Sequence, residues 1–376
     1  MTSTYIAHTP YHVLLASALA ADSSGGDRSG GNRSGGDRSG GNGSEDEHHL
    51  LGVRDADMTA LLDALRVGEE TPFDRTESIP GNLGLSGLRM EVRRKRTTAR
   101  VRRYVRRERP DRLYSFNDRQ PVAQGAFDAA SDRGGVRRIY VEDGTSAYAR
   151  FDVDGEWSWS ESLKTKLFYG FWRENTTTLG TSSWVDEVRA VFPDHVLPEL
   201  RERPIESIPR EAAVGLGDAD WFRRYVRRNL DAETLDGVDA LVFLTHSEYV
   251  EDVSRYADTI ETLVESLKRR GHGVGVKYHP REETRFLGVD RSDADLLAPG
   301  VPAEVLFVAD PSVEFVAGTM STALLTARWL LDDAAAVSLM DVVGQPHDRL
   351  GRVFERLGVR VPATREELTA VATRTG

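Results

Sequence analysis

Glu142-Asp143-Gly144 and His279-Pro280 are the residues of this chain whose types and settings suit group transfer. The two carboxylates follow an apolar run at 138–141, and the imidazole follows another at 274–278. A carboxylate at a strand end, partly desolvated and followed by a glycine that lets a ligand approach, can act as a general base toward a hydroxyl. A histidine before proline is biased to extended backbone, which projects its ring at the sheet edge. There it can donate to a phosphate or protonate a leaving group. Ser321 and Thr322 follow a glycine-containing turn at the start of a helical stretch, where amides, hydroxyls and the helix dipole favour an anion. Each fragment also has a plainer reading: an Asp-Gly turn, a surface histidine, an ordinary N-cap. Taken singly, the plainer readings prevail; their order and placement at strand ends of separate halves make them a candidate site.

The elements that must position these residues alternate strand and helix. A strand at 4–7 leads through His8-Thr9-Pro10 into a helix at 11–21, with Thr9 as N-cap and Pro10 at the first helical position. Further strands are expected at 49–53, 112–116, 138–141, 238–245, 274–278 and 312–317, with helices at 93–109, from 117 onward, at 256–270 and at 323–331. Asn117 and Asp118, at a strand's carboxyl end, suit either ligand binding or helix capping. The pattern predicts an α/β protein of two Rossmann-like domains, 1–205 and 206–376, facing a central cleft. Residues 24–44 form a five-residue Ser-Gly-Gly-Asp/Asn-Arg repeat, expected to be a flexible low-complexity loop with no catalytic role.

Composition narrows the function. The formal net charge of -11 argues against a general nucleic-acid surface. Five lysines stand against 44 arginines, and aspartate is abundant, a composition that suits a GC-rich genome and a high-salt, halophile-like cytoplasm. With no cysteine, disulfides, thiolate nucleophiles and Cys-ligated metals are excluded. Asp-x-Asp triplets at 55–57, 152–154, 218–220 and 293–295 track the abundance of aspartate, and no metal or bound cofactor is expected. The apolar stretch 13–21 is shorter than the roughly 20 residues of a spanning helix, so a cytoplasmic location is the default expectation. The Arg-dense segment 93–109 reads as a helix with a basic face. A solvated face is the simpler account; contact with an anionic acceptor or the inner membrane surface is the functional one.

Thr-Pro-Tyr-His-x-Leu-Leu-Ala at 9–16, Glu-Asp-Gly at 142–144, Lys-Tyr-His-Pro-Arg-Glu at 277–282 and Ser321-Thr322 occur in an order that resembles the bacterial sialyltransferases of GT-B architecture. The lipooligosaccharide sialyltransferases and capsule polysialyltransferases look most alike, over nearly the whole chain. The resemblance implies Glu142 as general base with Asp143 beside it, and His279 with Pro280 on the CMP phosphate. Gly144, Thr9, Asn117 and Asp118 are expected to line the substrate side. Those families carry a Ser-Ser pair for the phosphate or sugar carboxylate; here it is Ser321-Thr322, which keeps both hydroxyls and adds a methyl. The implied reaction is inverting and metal-independent, moving sialic acid or a related nonulosonate from a CMP-linked co-substrate to a glycan or glycolipid hydroxyl. Two rivals stand: a CDP-glycerol or CDP-ribitol polyol phosphotransferase, and a non-catalytic nucleotide-sugar or glycan-binding protein of the same fold.

Overall fold

A computed structural model describes residues 1–25, 46–68, 70–132, 134–151, 158–230, 235–283, 285–288, 294–298 and 300–372. Residues 26–44 of the repeat at 24–44, the triplet at 152–154 and the first residue of the triplet at 293–295 lie outside these residues. The chain forms two compact units, Met1–Phe222 and Arg223–Gly376. In the first, β1 (Thr2–Ala7), β2 (Glu47–Arg54), β3 (Arg75–Pro80), β4 (Arg112–Ser115), β5 (Arg137–Val141), β6 (Glu187–Ala190) and β7 (Ile205–Ser207) make one sheet in the order β3-β2-β1-β4-β5-β6-β7. Every pairing is parallel. The helices are α1 (Pro10–Gly25), α2 (Thr59–Val67), α3 (Gly87–Glu108), α4 (Pro121–Ser131), α5 (Trp159–Tyr169) and α6 (Arg210–Gly215), with α7 (Asp220–Asn229) crossing the boundary.

The second unit holds β8 (Ala240–Phe243), β9 (Val274–Lys277), β10 (Asp295–Leu296), β11 (Phe315–Gly318) and β12 (Ala335–Ser338), parallel in the order β10-β9-β8-β11-β12. Its helices are α8 (Val253–Lys268), α9 (Ala303–Ala309), α10 (Thr322–Leu330), α11 (Asp348–Arg356) and α12 (Arg365–Ala372). Inner strands of a parallel sheet are covered on both faces, so they read as unbroken apolar runs rather than alternating ones. Ile139-Tyr140-Val141 and Ala240-Leu241-Val242-Phe243 are such runs, and all seven residues are buried.

Two features of the fold position the site. In the first sheet the chain reverses its direction of strand addition between β1 and β4, and in the second between β8 and β11. Ligands in open α/β sheets bind outside the carboxyl ends of strands at such reversals. The unit boundary falls after Phe222 rather than at the expected 205/206, because β7 pairs with β6 and α6 packs on α1 within the first unit. The long basic helix begins at Gly87, earlier than the arginine-rich stretch alone indicated.

Candidate active site

The carboxyl edge of the first sheet gathers Glu142, Asp143, Tyr11, His12 and Asn117. Glu142 follows β5 and is 1% exposed. Its Oε1 accepts the Tyr11 hydroxyl at 2.8 Å; its Oε2 accepts the Val191 backbone N–H at 2.7 Å and the Tyr148 hydroxyl. Burial pushes the Glu142 carboxyl up to about 7, with the bonds from Tyr148, Val191 and Tyr11 working in the opposite direction. Gly144 has φ +65°, a left-handed conformation that costs a side-chain-bearing residue about 1 kcal/mol or more. That turn ends the strand and sends the chain into the short 3-10 turn Gly144–Ala147 that carries Tyr148.

Asp143 has a different setting, with a side chain 27% exposed. His12 Nε2 lies 2.7 Å from Oδ1, and Asn117 Nδ2 donates to Oδ2 at 3.3 Å. The tautomer of His12 follows from its other nitrogen: Nδ1 accepts the His8 backbone N–H at 3.1 Å, so Nε2 carries the proton given to Asp143. Burial lowers the pKa of His12, with Asp143 working in the opposite direction. Burial alone would raise Asp143; His12 and Asn117 outweigh it and hold the carboxyl below its usual range. The ring of His12 stacks on Phe116, centroids 4.6 Å apart. A second imidazole–carboxylate pair adjoins this one: His8 Nδ1 lies 2.8 Å from Asp55 Oδ2, while Asn82 donates twice to Asp55 Oδ1.

In the second unit the residues beyond β8, β9 and β11 share one sheet edge. His279 Nδ1 accepts the Arg281 backbone N–H at 3.2 Å, which leaves Nε2 as the proton-bearing nitrogen. Its ring meets that of His246 edge-on at 5.4 Å. Burial first, then the charges of Arg281, His246 and Lys277, push His279 down to about 4. Lys277, buried at the end of β9, is brought down to about 8 by desolvation, with Glu304 opposing. Thr245, after β8, and Thr319, after β11, bond to each other through their hydroxyls. Ser321 Oγ accepts the Ala323 N–H at 3.1 Å and caps α10, whose first residue is Thr322. The edge is cationic, hydroxyl-lined and placed at a helix N-terminus, a combination that stabilises a phosphate.

Several expected residues turn out to have local structural duties. Thr9 accepts the His12 N–H at 3.3 Å and caps α1, as its spacing to Pro10 predicted. Asp118 is buried and accepts the amides of Gly180 at 2.7 Å and Ser182 at 3.0 Å, so it anchors that loop and neither caps α4 nor faces solvent. The α4 cap position is Gln120. Pro280 is exposed just past His279. Tyr11, His12, Tyr148, Thr245, His246 and Thr319 were not among the expected site residues. Tyr11 and His12 sat inside the noted Thr-Pro-Tyr-His motif, in the first turn of α1.

Among the described residues, one group has metal-ligand spacing: Asp239, His272 and Glu314. These precede β8, β9 and β11, at the amino edge of the second sheet rather than the edge bearing His279. No helix of the described residues is long and apolar enough to cross a membrane.

The sequence profile of the alpha-2,8-polysialyltransferase family (POLYST) matches residues 98–340, which include Glu142, Asp143, His279, Ser321 and Thr322. A search of curated proteins yields no match. The fold is similar to UDP-GlcNAc 2-epimerase from Methanocaldococcus jannaschii, at TM-score 0.58 and 13% identity over 100% of this chain and 92% of that one. It is also similar to UDP-GlcNAc 2-epimerase from Neisseria meningitidis, at 0.58 and 10% over 100% and 91%. The glycotransferase of kitacinnamycin is comparable, at 0.52 and 10% over 100% and 89%. At such identities these likenesses concern the fold, which is GT-B. The family match spans well over half the sequence, and the chain therefore belongs to the alpha-2,8-polysialyltransferase family, a glycosyltransferase using a nucleotide-sugar donor and a glycan acceptor.

Proposed function

We propose that the protein moves a sialic acid, or a related nonulosonate, from a CMP-linked donor to a glycan hydroxyl, with inversion and without a metal. The observation that carries this reading is the state of His279: a neutral ring, its Nε2 proton set by the Arg281 amide, among cationic groups at a strand-reversal edge. In the reaction the bond from the anomeric carbon to the phosphate oxygen breaks, and its electron pair leaves with CMP. His279 and the Ser321-Thr322 helix start meet the added negative charge. The acceptor oxygen forms the new bond to the anomeric carbon and gives its proton to a carboxylate. We assign that carboxylate to Asp143, in place of the expected Glu142. Glu142 has both oxygens occupied by three donors and is closed to solvent, whereas Asp143 is partly exposed and ionised. Glu142 then serves to fix the turn that aims Asp143.

Family membership favours sialyl transfer over polyol phosphate transfer, and the basic, hydroxyl-lined edge suits a phosphate leaving group in either. The test is product analysis with CMP-sialic acid and an oligosialic acceptor, looking for CMP release and acceptor lengthening. Lengthening with CDP-glycerol instead, through a new phosphodiester, would overturn the proposal.

A further inference from the structure

Five adjacent strands of the first sheet each deliver one polar side chain within two residues of their carboxyl ends. In sheet order these are Asn82 after β3, Asp55 after β2, His8 after β1, Asn117 after β4 and Asp143 after β5. The reversal of strand addition falls between β1 and β4, so His8 and Asn117 stand on its two sides, where open α/β sheets bind ligands. Asp143 is the proposed base. His8 has no part in that reaction, yet it is 4% exposed and sits at the centre of the row.

The hydrogen bonds fix which atom of each side chain is left over. Asn82 donates through its backbone N–H and its Nδ2 to Asp55 Oδ1, at 2.8 and 2.9 Å, and His8 Nδ1 meets Asp55 Oδ2 at 2.8 Å. Burial alone would raise the pKa of Asp55; His8 and Asn82 outweigh it and hold the carboxyl below its usual range. An ionised carboxylate only accepts, so the proton of this bond lies on His8 Nδ1, and Nε2 of the neutral ring is a bare acceptor. An asparagine beside a carboxylate turns its NH2 toward it. That leaves Oδ1 of Asn82 facing away from Asp55, and Oδ1 of Asn117 facing away from Asp143. His8 Nε2, Asn82 Oδ1 and Asn117 Oδ1 are buried atoms with no partner among the described residues. The two halves of the row are joined, because the His8 backbone N–H donates to His12 Nδ1 and His12 Nε2 reaches Asp143.

A buried acceptor without a donor is costly to keep, and binding sites are where such groups persist. The group complementary to His8 Nε2 is an O–H or N–H donor; a carboxylate would set a lone pair against a lone pair. We propose that His8 Nε2 binds a hydroxyl of the acceptor glycan other than the one that reacts, and that Asp55 and Asn82 hold the ring in the tautomer this requires. The identity of the ligand rests on the transfer proposed above; the place rests on the row of strand ends. Neighbouring strands lie about 4.8 Å apart, so the ends of β1 and β5, two strands apart, are separated by roughly 10 Å. An acceptor that gives its reacting hydroxyl to Asp143 has further hydroxyls within reach of His8.

The test uses two amides that each mimic one ring nitrogen. In His8→Asn the amide falls near the Nδ1 position and keeps the bond to Asp55, while the Nε2 acceptor is lost. In His8→Gln the amide reaches the Nε2 position and the Asp55 bond is lost. With CMP-sialic acid and an oligosialic acceptor, His8→Asn should raise acceptor KM about tenfold with donor KM unchanged, and His8→Gln should raise it less. Asp55→Asn is the third variant. Asn82 continues to hold the Oδ1 oxygen, so the new NH2 turns toward His8 Nδ1 and moves the ring proton to Nε2. Acceptor KM should then rise as in His8→Asn. Nitrogen NMR of the histidine rings reads the tautomer without turnover: Nδ1–H in the wild type and Nε2–H in Asp55→Asn, with the signal assigned by its loss in His8→Asn. The proposal is overturned if His8→Asn leaves acceptor KM unchanged, or if the wild-type ring carries its proton on Nε2. It is also overturned if His8→Gln is more impaired than His8→Asn, which would make the ring a prop for Asp55. Calorimetry with the oligosialic acceptor in the presence of CMP separates the subsite from the reaction it serves. Affinity that falls in His8→Asn while the wild type transfers nothing would sink the reaction and support the subsite. Equal affinities would sink the subsite even where transfer proceeds.

Discussion

Asp143 and Glu142 are adjacent in sequence and opposite in chemistry, and the difference comes from three or four neighbouring atoms. On the proposed reading, Asp143→Asn removes only the proton acceptor and should lower kcat by about 10²–10⁴-fold with little change in donor KM. His12→Ala, which removes the donor orienting Asp143, should lower kcat by a smaller factor and shift the acid limb of the pH–rate profile upward. An unshifted profile would reduce His12 to packing. Glu142 makes a stability prediction. Its folded pKa of about 7 lies above the 4.5 of an unfolded glutamate, so folding favours the protonated form. That contribution is whole below pH 4.5 and is lost as pH rises through 7. Relative to Glu142→Gln, the wild type should lose on the order of 3 kcal/mol across this window, read by urea unfolding at a series of pH values. His279 makes a linked prediction on the donor side. A ring pushed down to about 4 regains basicity when a phosphate arrives, so CMP binding at pH 6 should take up protons. Calorimetry in buffers of different ionisation enthalpy measures this, and His279→Gln should abolish the buffer dependence.

At the scale of elements, strand ends and helix starts do the positioning. Gly144→Ala forces a side chain into a left-handed turn and should cost about 1–2 kcal/mol while disturbing Asp143, so stability and kcat should fall together. Ser321→Ala removes the cap of α10 and should cost about 0.5–2 kcal/mol, with a rise in donor KM larger than any fall in kcat. Much of this was legible beforehand. The strands through Ile139 and Leu241 are continuous apolar runs that only a covered parallel sheet accounts for, and Pro10 after Thr9 marked the start of α1. Asp118 was not legible, because a carboxylate after a strand reads alike whether it binds a ligand or a distant loop. Its partners at 180 and 182 are remote in sequence, and only packing brings them to it.

For the whole molecule, two parallel sheets with their own strand reversals put the chemistry-bearing residues at carboxyl edges. On the proposed reading, Lys277 and Arg281 near His279 supply at that edge the charge a divalent ion would otherwise bring. Chelation with EDTA should therefore leave the initial rate within about twofold of the untreated protein. The cluster Asp239, His272 and Glu314 stands at the opposite edge of its sheet, so any ion it holds would affect unfolding temperature rather than turnover.

The sequence by itself determined the alternation of strand and helix, the short motifs and their order, and with them the family. These are local properties, written in periodicity, caps and turn residues. Only the tertiary structure decided which of two neighbouring carboxylates is enclosed and which is open, and which imidazole nitrogen carries the proton. Each of those depends on donors and neighbours that are distant in the chain. Glu142 began as the expected base. Tyr11, Tyr148 and Val191, brought to it by the sheet, enclose it, and on the proposed reading the base is Asp143 instead.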